Sequence, residues 1–188
     1  KVALIDYGAG NLRSVANALR ALGQEPAVVA DAAELGDATH LLLPGVGSFG
    51  DCMAQLEQRG LANLIRSWVS AGRPYLGICL GYQILFDSSD ESPGMAGLGL
   101  FRGKVKRFGD VPGVKIPHMG WNAARPARPN LKNWAGLGDA PYFYFVHSYF
   151  PVPEDESIVA SRTDYAAENF ASSIESGAVL ACQFHPEK

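Results

Sequence analysis

The sequence has 188 residues, of which 47% are hydrophobic and 19% charged, so it can bury one core but is short for two full domains. A net charge of −3 with scattered basic residues excludes a basic nucleic-acid-binding surface, and no apolar stretch reaches the roughly 20 residues that cross a bilayer. Three separated cysteines form neither a disulfide framework nor a zinc motif. We therefore expect one cytoplasmic domain over residues 1–188, without a metal, acting on a small neutral or zwitterionic substrate.

The first half of the chain alternates strand and helix patterns. An apolar run at 2–5 predicts a strand, and after the turn Gly8-Ala9-Gly10 the residue Asn11 is placed to cap a helix. That turn lacks the third glycine of a dinucleotide-binding loop, because Arg13 stands there, so no nucleotide cofactor is expected. Further apolar runs predict strands at 26–30, 41–43 and 75–78, with helical segments around 53–65. This alternation implies a parallel sheet covered on both faces.

The second half is mostly strand-like. Strands are predicted at 105–108, 142–150, 158–161 and 179–184, and surface loops at 92–99, 112–120 and 126–138. The predicted fold class is α/β, with a doubly wound, mostly parallel central sheet and antiparallel additions to the same sheet. The sequence stops at Lys188 directly after an apolar strand, where such a fold normally adds a covering helix, which favours a C-terminus trimmed from a longer chain.

The segment Gly77-Ile78-Cys79-Leu80-Gly81 lies between an apolar strand and the predicted helical run 82–86, which is the setting of a nucleophile elbow. Glycines on both sides allow a sharp turn that pushes the sulfur out of the sheet, and a helix N-terminus there favours a thiolate. The alternative is a buried structural cysteine between packing glycines. A nearby base would decide between the two.

A candidate base lies in the segment His185-Pro186-Glu187, which follows the last predicted strand. Because parallel strands end at one edge of a doubly wound sheet, His185 can reach Cys79 despite the distance in sequence. Glu187 can bond one ring nitrogen of the imidazole and leave the other facing the sulfur. Standing alone, this tail would be read equally well as a solvated loop.

The segments GICLGYQ at 77–83 and FHPEK at 184–188 resemble the two signatures of the class I glutamine amidotransferases, whose fold is flavodoxin-like. Within that class, three further segments resemble the amidotransferase subunits of imidazole glycerol phosphate synthases: PGVGSFGD at 44–51, PHMGWN at 117–122 and FVHSY at 145–149. The resemblance spans nearly the whole chain. Anthranilate and aminodeoxychorismate synthase subunits usually carry a different residue in the PGVG loop.

The resemblance implies that Cys79, His185 and Glu187 hydrolyse glutamine to glutamate and ammonia without a cofactor. The ammonia would pass to a cyclase subunit, the partner in a heterodimer, which forms imidazole glycerol phosphate and AICAR in histidine biosynthesis. Two alternatives stay open at this point. One is a glutaminase subunit of anthranilate or aminodeoxychorismate synthase, and the other is a catalytically silent binding subunit, against which the complete set of three residues argues.

Attack on an amide produces an oxyanion that needs backbone N–H donors, and the elbow geometry offers that of Leu80. The loop Gly45-Val46-Gly47 is the natural source of a second donor. Family similarity places five residues around bound glutamine: Gly47, Gln83, Glu91, Ser148 and Tyr149. It also favours partner contacts by Asn11, Trp121 and Lys188. Simpler readings are a solvated acidic face for Glu91, ordinary strand residues for Ser148 and Tyr149, a helix cap for Asn11 and a core position for Trp121.

Four other reactive side chains are discounted. Cys52 has no identified base, and Cys182 lies in an apolar strand, so both are predicted to be packing residues. His118 and His147 could join His185 in a metal site, but they lack clustered carboxylates and ligand spacing.

Overall fold

The computed structural model describes residues 1–8 and 11–188, so Ala9 and Gly10 of the predicted turn lie outside the described residues. The strands are β1 (Val2–Ile5), β2 (Ala27–Val29), β3 (His40–Gly45), β4 (Tyr75–Cys79), β5 (Ser88–Ser89), β6 (Gly103–Arg107), β7 (His118–Ala123), β8 (Arg125–Pro126), β9 (Tyr142–His147), β10 (Tyr149–Pro153), β11 (Val159–Tyr165), β12 (Glu168–Ser176) and β13 (Val179–Cys182). The α-helices are α1 (Leu12–Ala21), α2 (Phe49–Gln58), α3 (Leu61–Ser70) and α4 (Leu80–Gln83), and short 3₁₀ helices occur at Ala32–Leu35, Lys132–Trp134 and Glu156–Ile158.

The main sheet has the strand order β2-β1-β3-β4-β13-β12-β11-β8. Its first five strands are parallel, and β12, β11 and β8 continue it with antiparallel pairings. This confirms the predicted α/β class with a mostly parallel sheet and antiparallel additions. No helix among the described residues has the length and apolar character needed to span a bilayer.

Alternating side chains of the central strands fill two cores, one on each face of the main sheet. Leu41 and Leu43 of β3 point into the core that α2 and α3 cover. Leu42, between them, belongs to the other core, which contains Val15 of α1 and an aromatic cluster around Phe145. The continuous apolar runs that predicted these strands are explained by this burial on both faces.

Part of the second half forms two separate small sheets, which corrects the expectation of additions to one sheet only. β5, β6 and β10 form one of them, and β7 pairs with β9 in the other. The predicted strand 142–150 is divided at Ser148, because its two parts pair with different partners. The last residues of the predicted loop 112–120 belong to β7, in which His118 is buried and Met119 is exposed. Glycine and polar residues in this segment hide the strand's alternation in the sequence.

The structure refines three helix predictions. The helical segments expected around 53–65 are α2 and α3, which extend beyond both bounds and are separated at Gly60, where φ is 68°. The helical run expected at 82–86 is reduced to the single turn α4. Asn11 occupies the predicted N-cap position of α1 with a φ of 85°, but its side chain makes no capping hydrogen bond. That side chain instead reaches the far end of the chain.

Candidate active site

Cys79 lies at the junction of β4 and α4 with φ 56° and ψ −107°, a strained conformation for a residue with a side chain. The turn is tight enough to require glycine on both sides. A Cβ at Gly81 would lie 2.0 Å from the carbonyl oxygen of Leu43, and one at Gly77 would lie 2.4 Å from that of Gly81. Without side chains at these two positions, α4 can fold back on the strands and hold the sulfur at the sheet edge.

His185 and Glu187 form a buried pair, with their side chains 4% and 2% exposed. The His185 Nδ1 atom lies 2.9 Å from Glu187 Oε1, and the Asn11 Nδ2 amide donates to the same oxygen at 2.9 Å. The backbone N–H of His185 donates to the Tyr144 carbonyl at 2.9 Å, which fixes the tail against β9. The carboxylate is therefore held from two sides, whereas the imidazole is held at Nδ1 and its backbone is fixed to β9.

The charges of this pair are mutually stabilised. Burial alone would lower the pKa of His185, but its interactions with the Cys79 sulfur and with Glu187 outweigh burial and hold that pKa well above its ordinary value. Burial likewise opposes ionisation of Glu187, yet hydrogen bonds from His185 and Asn11 keep its pKa below the ordinary value. His185 Nε2 is buried and has no hydrogen-bond partner among the described residues. That atom is left for reacting groups.

The predicted oxyanion loop follows β3, whose last residue Gly45 pairs with Cys79. A Cβ at Gly45 would lie 2.6 Å from the Leu80 Cβ, so the loop and the elbow touch through a glycine. Gly47 has a φ of 100°, which suits glycine. The N–H of Val46 donates to Tyr7 Oη at 3.1 Å, and this hydroxyl lies 3.1 Å from the Val46 carbonyl. One of the loop N–H groups is thus already occupied.

A cavity of about 310 Å³ opens over the sulfur. It is lined by nine of the predicted site residues, Val46, Gly47, Cys79, Leu80, Gln83, Glu91, Ser148, Tyr149 and His185, together with Pro117, Val146 and His147. Gly45, Glu187 and the three predicted partner contacts are not among the lining residues. Its size suits an amino-acid substrate.

Two of the predicted glutamine contacts are anchored by their own hydrogen bonds. Glu91 Oε2 accepts the N–H of Phe49 at 2.7 Å, at the first residue of α2, so the reading of Glu91 as a merely solvated face is wrong. The Gln83 Nε2 amide donates to the Tyr149 carbonyl at 3.0 Å. Their roles toward glutamine remain predictions, as do those of Ser148 and Tyr149 beside them.

The predicted partner contacts differ in their surroundings. Trp121 is 61% exposed and packs edge-on against Tyr144, so the reading of Trp121 as a core residue is wrong. Met119 and Tyr142 on the same two-stranded sheet are 62% and 66% exposed. Lys188 is exposed next to the catalytic candidates, and its N–H donates to the His185 carbonyl. Asn11 is instead engaged with Glu187.

Sequence reasoning overlooked Tyr7 and Gln183. Tyr7 is 3% exposed and Gln183 is fully buried, with its Nε2 amide 3.6 Å from the Cys79 sulfur. For Gln183, the signal available in the sequence was a polar amide between an apolar strand and the His-Pro-Glu tail. For Tyr7, the only signal in the sequence was its position just after the first strand, where residues that merely pack are also common.

The two discounted cysteines are buried, as expected of packing residues. Burial raises the pKa of Cys52 to about 12 and that of the Cys182 thiol well above its ordinary value, so neither forms a ready nucleophile. His118 and His147 bond each other, with His118 Nδ1 3.1 Å from His147 Nε2. His147 Nδ1 lies 2.8 Å from the Tyr149 carbonyl, which makes it the donor there. These bonds occupy the ring nitrogens that a metal would need.

Acid is expected to destabilise the fold through these two histidines. Burial lowers the pKa of His118 to about 4 and that of His147 to about 3, from an ordinary value of 6.5. Between pH 6.5 and 4.5 these two histidines are therefore protonated in the unfolded chain but stay neutral in the folded chain. The free energy of unfolding falls as pH is lowered. Each histidine contributes a slope of up to ~1.4 kcal/mol per pH unit. The free energy of unfolding, measured by urea unfolding at several pH values, gives this slope.

The matched variant is His118→Phe, which keeps a ring stacked on Phe145 and Tyr165 but cannot titrate. We expect the free energy of unfolding of this variant to depend on pH about half as steeply below pH 6.5, since each histidine contributes similarly. A variant as steeply acid-sensitive as the parent would show that His118 is not the group responsible.

Comparison with known proteins agrees with this geometry. The family model described as glutamine amidotransferase class-I matches residues 3–188. The chain is 49% identical to the imidazole glycerol phosphate synthase subunit HisH of Moorella thermoacetica and 47% to that of Thermosynechococcus vestitus, over all of this chain and 87% and 89% of those proteins. In fold it resembles a crystal structure titled glutamine amidotransferase (TM-score 0.75, 23% identity, covering 100% of this chain and 91% of that one) and the structure of PurLQS from Thermotoga maritima (0.76, 24%, 99% and 87%). The chain belongs to the class I glutamine amidotransferase family.

Proposed function

We propose that this chain is the glutaminase subunit of an imidazole glycerol phosphate synthase. It hydrolyses glutamine to glutamate and ammonia in the cytoplasm and delivers the ammonia to a cyclase subunit. The observation that carries the proposal is that Cys79 and His185 line the same cavity. Cys79 sits there on a strained elbow, beside a buried His185 that Glu187 orients at 2.9 Å. The names of the relatives, which match over the full length of the chain, support the choice of synthase.

In the proposed mechanism His185 holds the proton of the Cys79 thiol, and the resulting thiolate attacks the side-chain amide carbon of glutamine. Negative charge moves to the amide oxygen, where the N–H of Leu80 and an N–H of the loop 45–47 would stabilise it. His185 then gives its proton to the leaving nitrogen, so that ammonia departs and a thioester remains. Glu187 keeps the imidazole oriented and stabilises its positive charge throughout.

Water completes the reaction. His185 takes a proton from the water as it attacks the thioester carbon. The bond between that carbon and the Cys79 sulfur then breaks, and the sulfur leaves as a thiolate paired with the protonated His185, which restores the starting state. Glutamate then leaves the cavity. The raised pKa of His185 is consistent with an imidazole that carries a positive charge during the cycle.

A partner is part of the proposal, because free ammonia would otherwise be lost to solvent. The exposed side chains of Trp121, Met119 and Tyr142 offer an apolar docking surface on the two-stranded sheet of β7 and β9. The Val46 N–H is engaged with Tyr7 rather than free for an oxyanion. This supports weak hydrolysis by the isolated chain.

The test is to measure glutamate release from glutamine by the chain alone and with the cyclase subunit and its ligand. We expect slow release alone, a large rise on mixing, and glutamine-dependent formation of imidazole glycerol phosphate. Adding an anthranilate synthase partner is the control and should change nothing. Fast release by the chain alone, indifferent to the cyclase, would contradict the proposal.

A further inference from the structure

Gln183 is a polar side chain buried in an unusual place. It follows β13 directly and is fully buried, and its backbone N–H donates to the Ser172 carbonyl at 2.9 Å. Burying an amide side chain is costly unless its donors and acceptors are bonded. The hydrogen-bond partners of this amide therefore indicate its role.

The orientation of the amide follows from its neighbours. The Tyr149 carbonyl can only accept, so the Gln83 atom 3.0 Å from it must be the donating Nε2. The same Nε2 lies 3.0 Å from Gln183, so the Gln183 atom there must be the accepting Oε1. This leaves the Nε2 of Gln183 pointing at the Cys79 sulfur, 3.6 Å away.

The sulfur is thus approached by two groups of different character. His185, two residues after Gln183, presents a titratable nitrogen, whereas the Gln183 amide is a donor at every pH. An N–H directed at sulfur restricts its rotamer and stabilises the negative charge that it carries as nucleophile and as leaving group. Because Gln83 also lines the substrate cavity, the same amide links the substrate pocket to the nucleophile.

We propose that Gln183 is a positioning residue that is clamped by Gln83 and donates an N–H to the sulfur of Cys79, thereby aiming it at the amide carbon of glutamine. The inference deepens the proposed glutaminase function and rests on it. The contact itself joins residues 104 positions apart, at neighbouring strand ends, so it depends on the sheet rather than on the local motif.

The test compares Gln183→Leu and Gln183→Glu with the parent in two assays. The first is the rate constant for alkylation of Cys79 by iodoacetamide, followed by mass spectrometry of the Cys79 peptide; the second is kcat for glutamine. We expect both to fall about tenfold in Gln183→Leu, because a hydrogen bond to a charged group is lost. A larger fall is expected in Gln183→Glu, which places an oxygen at the sulfur.

The matched control is Tyr82→Phe, which also removes one buried hydrogen bond, from Tyr82 Oη to the Ala171 carbonyl at 3.2 Å, but not at the sulfur. We expect its alkylation rate to equal that of the parent. Gln183→Glu keeps an acceptor for Gln83 and so guards against misfolding of the leucine variant. Alkylation of folded Gln183→Glu at the parent's rate would overturn the proposal.

The alkylation assay needs no glutamine, so failure of the Gln183 proposal can be distinguished from failure of the glutaminase proposal. If the parent hydrolyses no glutamine while Gln183→Leu is still alkylated more slowly, the glutaminase proposal fails and the contact to the sulfur stands. If glutamine is hydrolysed but both variants are alkylated as fast as the parent, only the role of Gln183 fails.

Discussion

A chain with Cys79→Ala is expected to release glutamate from glutamine at least ~10⁴-fold more slowly than the parent, as when a nucleophile is removed from a covalent enzyme. The alanine keeps the strained elbow but provides no atom to attack the amide. The measurement is steady-state glutamate production in the presence of the cyclase. The glutamine analogue 6-diazo-5-oxo-norleucine should label Cys79 in the parent and nothing at that position in the variant.

Cys52→Ala is the matched control, because that thiol is also buried but lies in α2, where its pKa is raised to about 12. It should keep both activity and labelling. Substantial glutamate release by Cys79→Ala, or absence of label on Cys79 in the parent, would remove the basis of the proposed function.

Gly81→Ala is expected to lower the free energy of unfolding by about 3 kcal/mol, the upper part of the range for overpacking. The added Cβ would lie 2.0 Å from the Leu43 carbonyl oxygen, and backbone atoms on both sides cannot move away cheaply. Because α4 must shift to relieve the clash, we expect glutaminase activity to fall as well. Urea unfolding followed by circular dichroism gives the stability change.

The control is Gly109→Ala, at a glycine where a new Cβ would meet nothing within 4 Å. We expect its stability to differ from that of the parent by less than ~1 kcal/mol. Equal stabilities of the two alanine variants would mean that α4 and β3 are less tightly packed than the structure indicates.

The class of fold could be predicted from the sequence because apolar runs such as Leu41-Leu42-Leu43 belong to strands buried on both faces. Their bounds could not. β3 continues through Pro44 and Gly45, residues with low strand propensity, because they pair with the end of β4. The pairing of β7 with β9 was likewise hidden, since Gly120 and polar residues interrupt the alternation that marks a strand.

The candidate site could be predicted where a residue type has a specific chemical use, as for Cys79, His185 and Glu187. Supporting contacts could not be predicted in this way. Asn11 reaches Glu187 across 176 positions and Tyr7 reaches Val46 across 39, and both contacts depend on how strands are ordered in the sheet. An asparagine before a helix is far more often a cap, so its local setting pointed to the wrong role.

The position of β13 has a consequence for the timing of activity during folding. This strand is inserted between β4 and β12, so the sheet cannot be completed before residues 179–182 have been made and have found their place among much earlier strands. Contacts over such sequence distances form late. We therefore expect a nascent chain that already displays the elbow, but has not yet placed His185 and Gln183, to hydrolyse no glutamine before the sheet is complete.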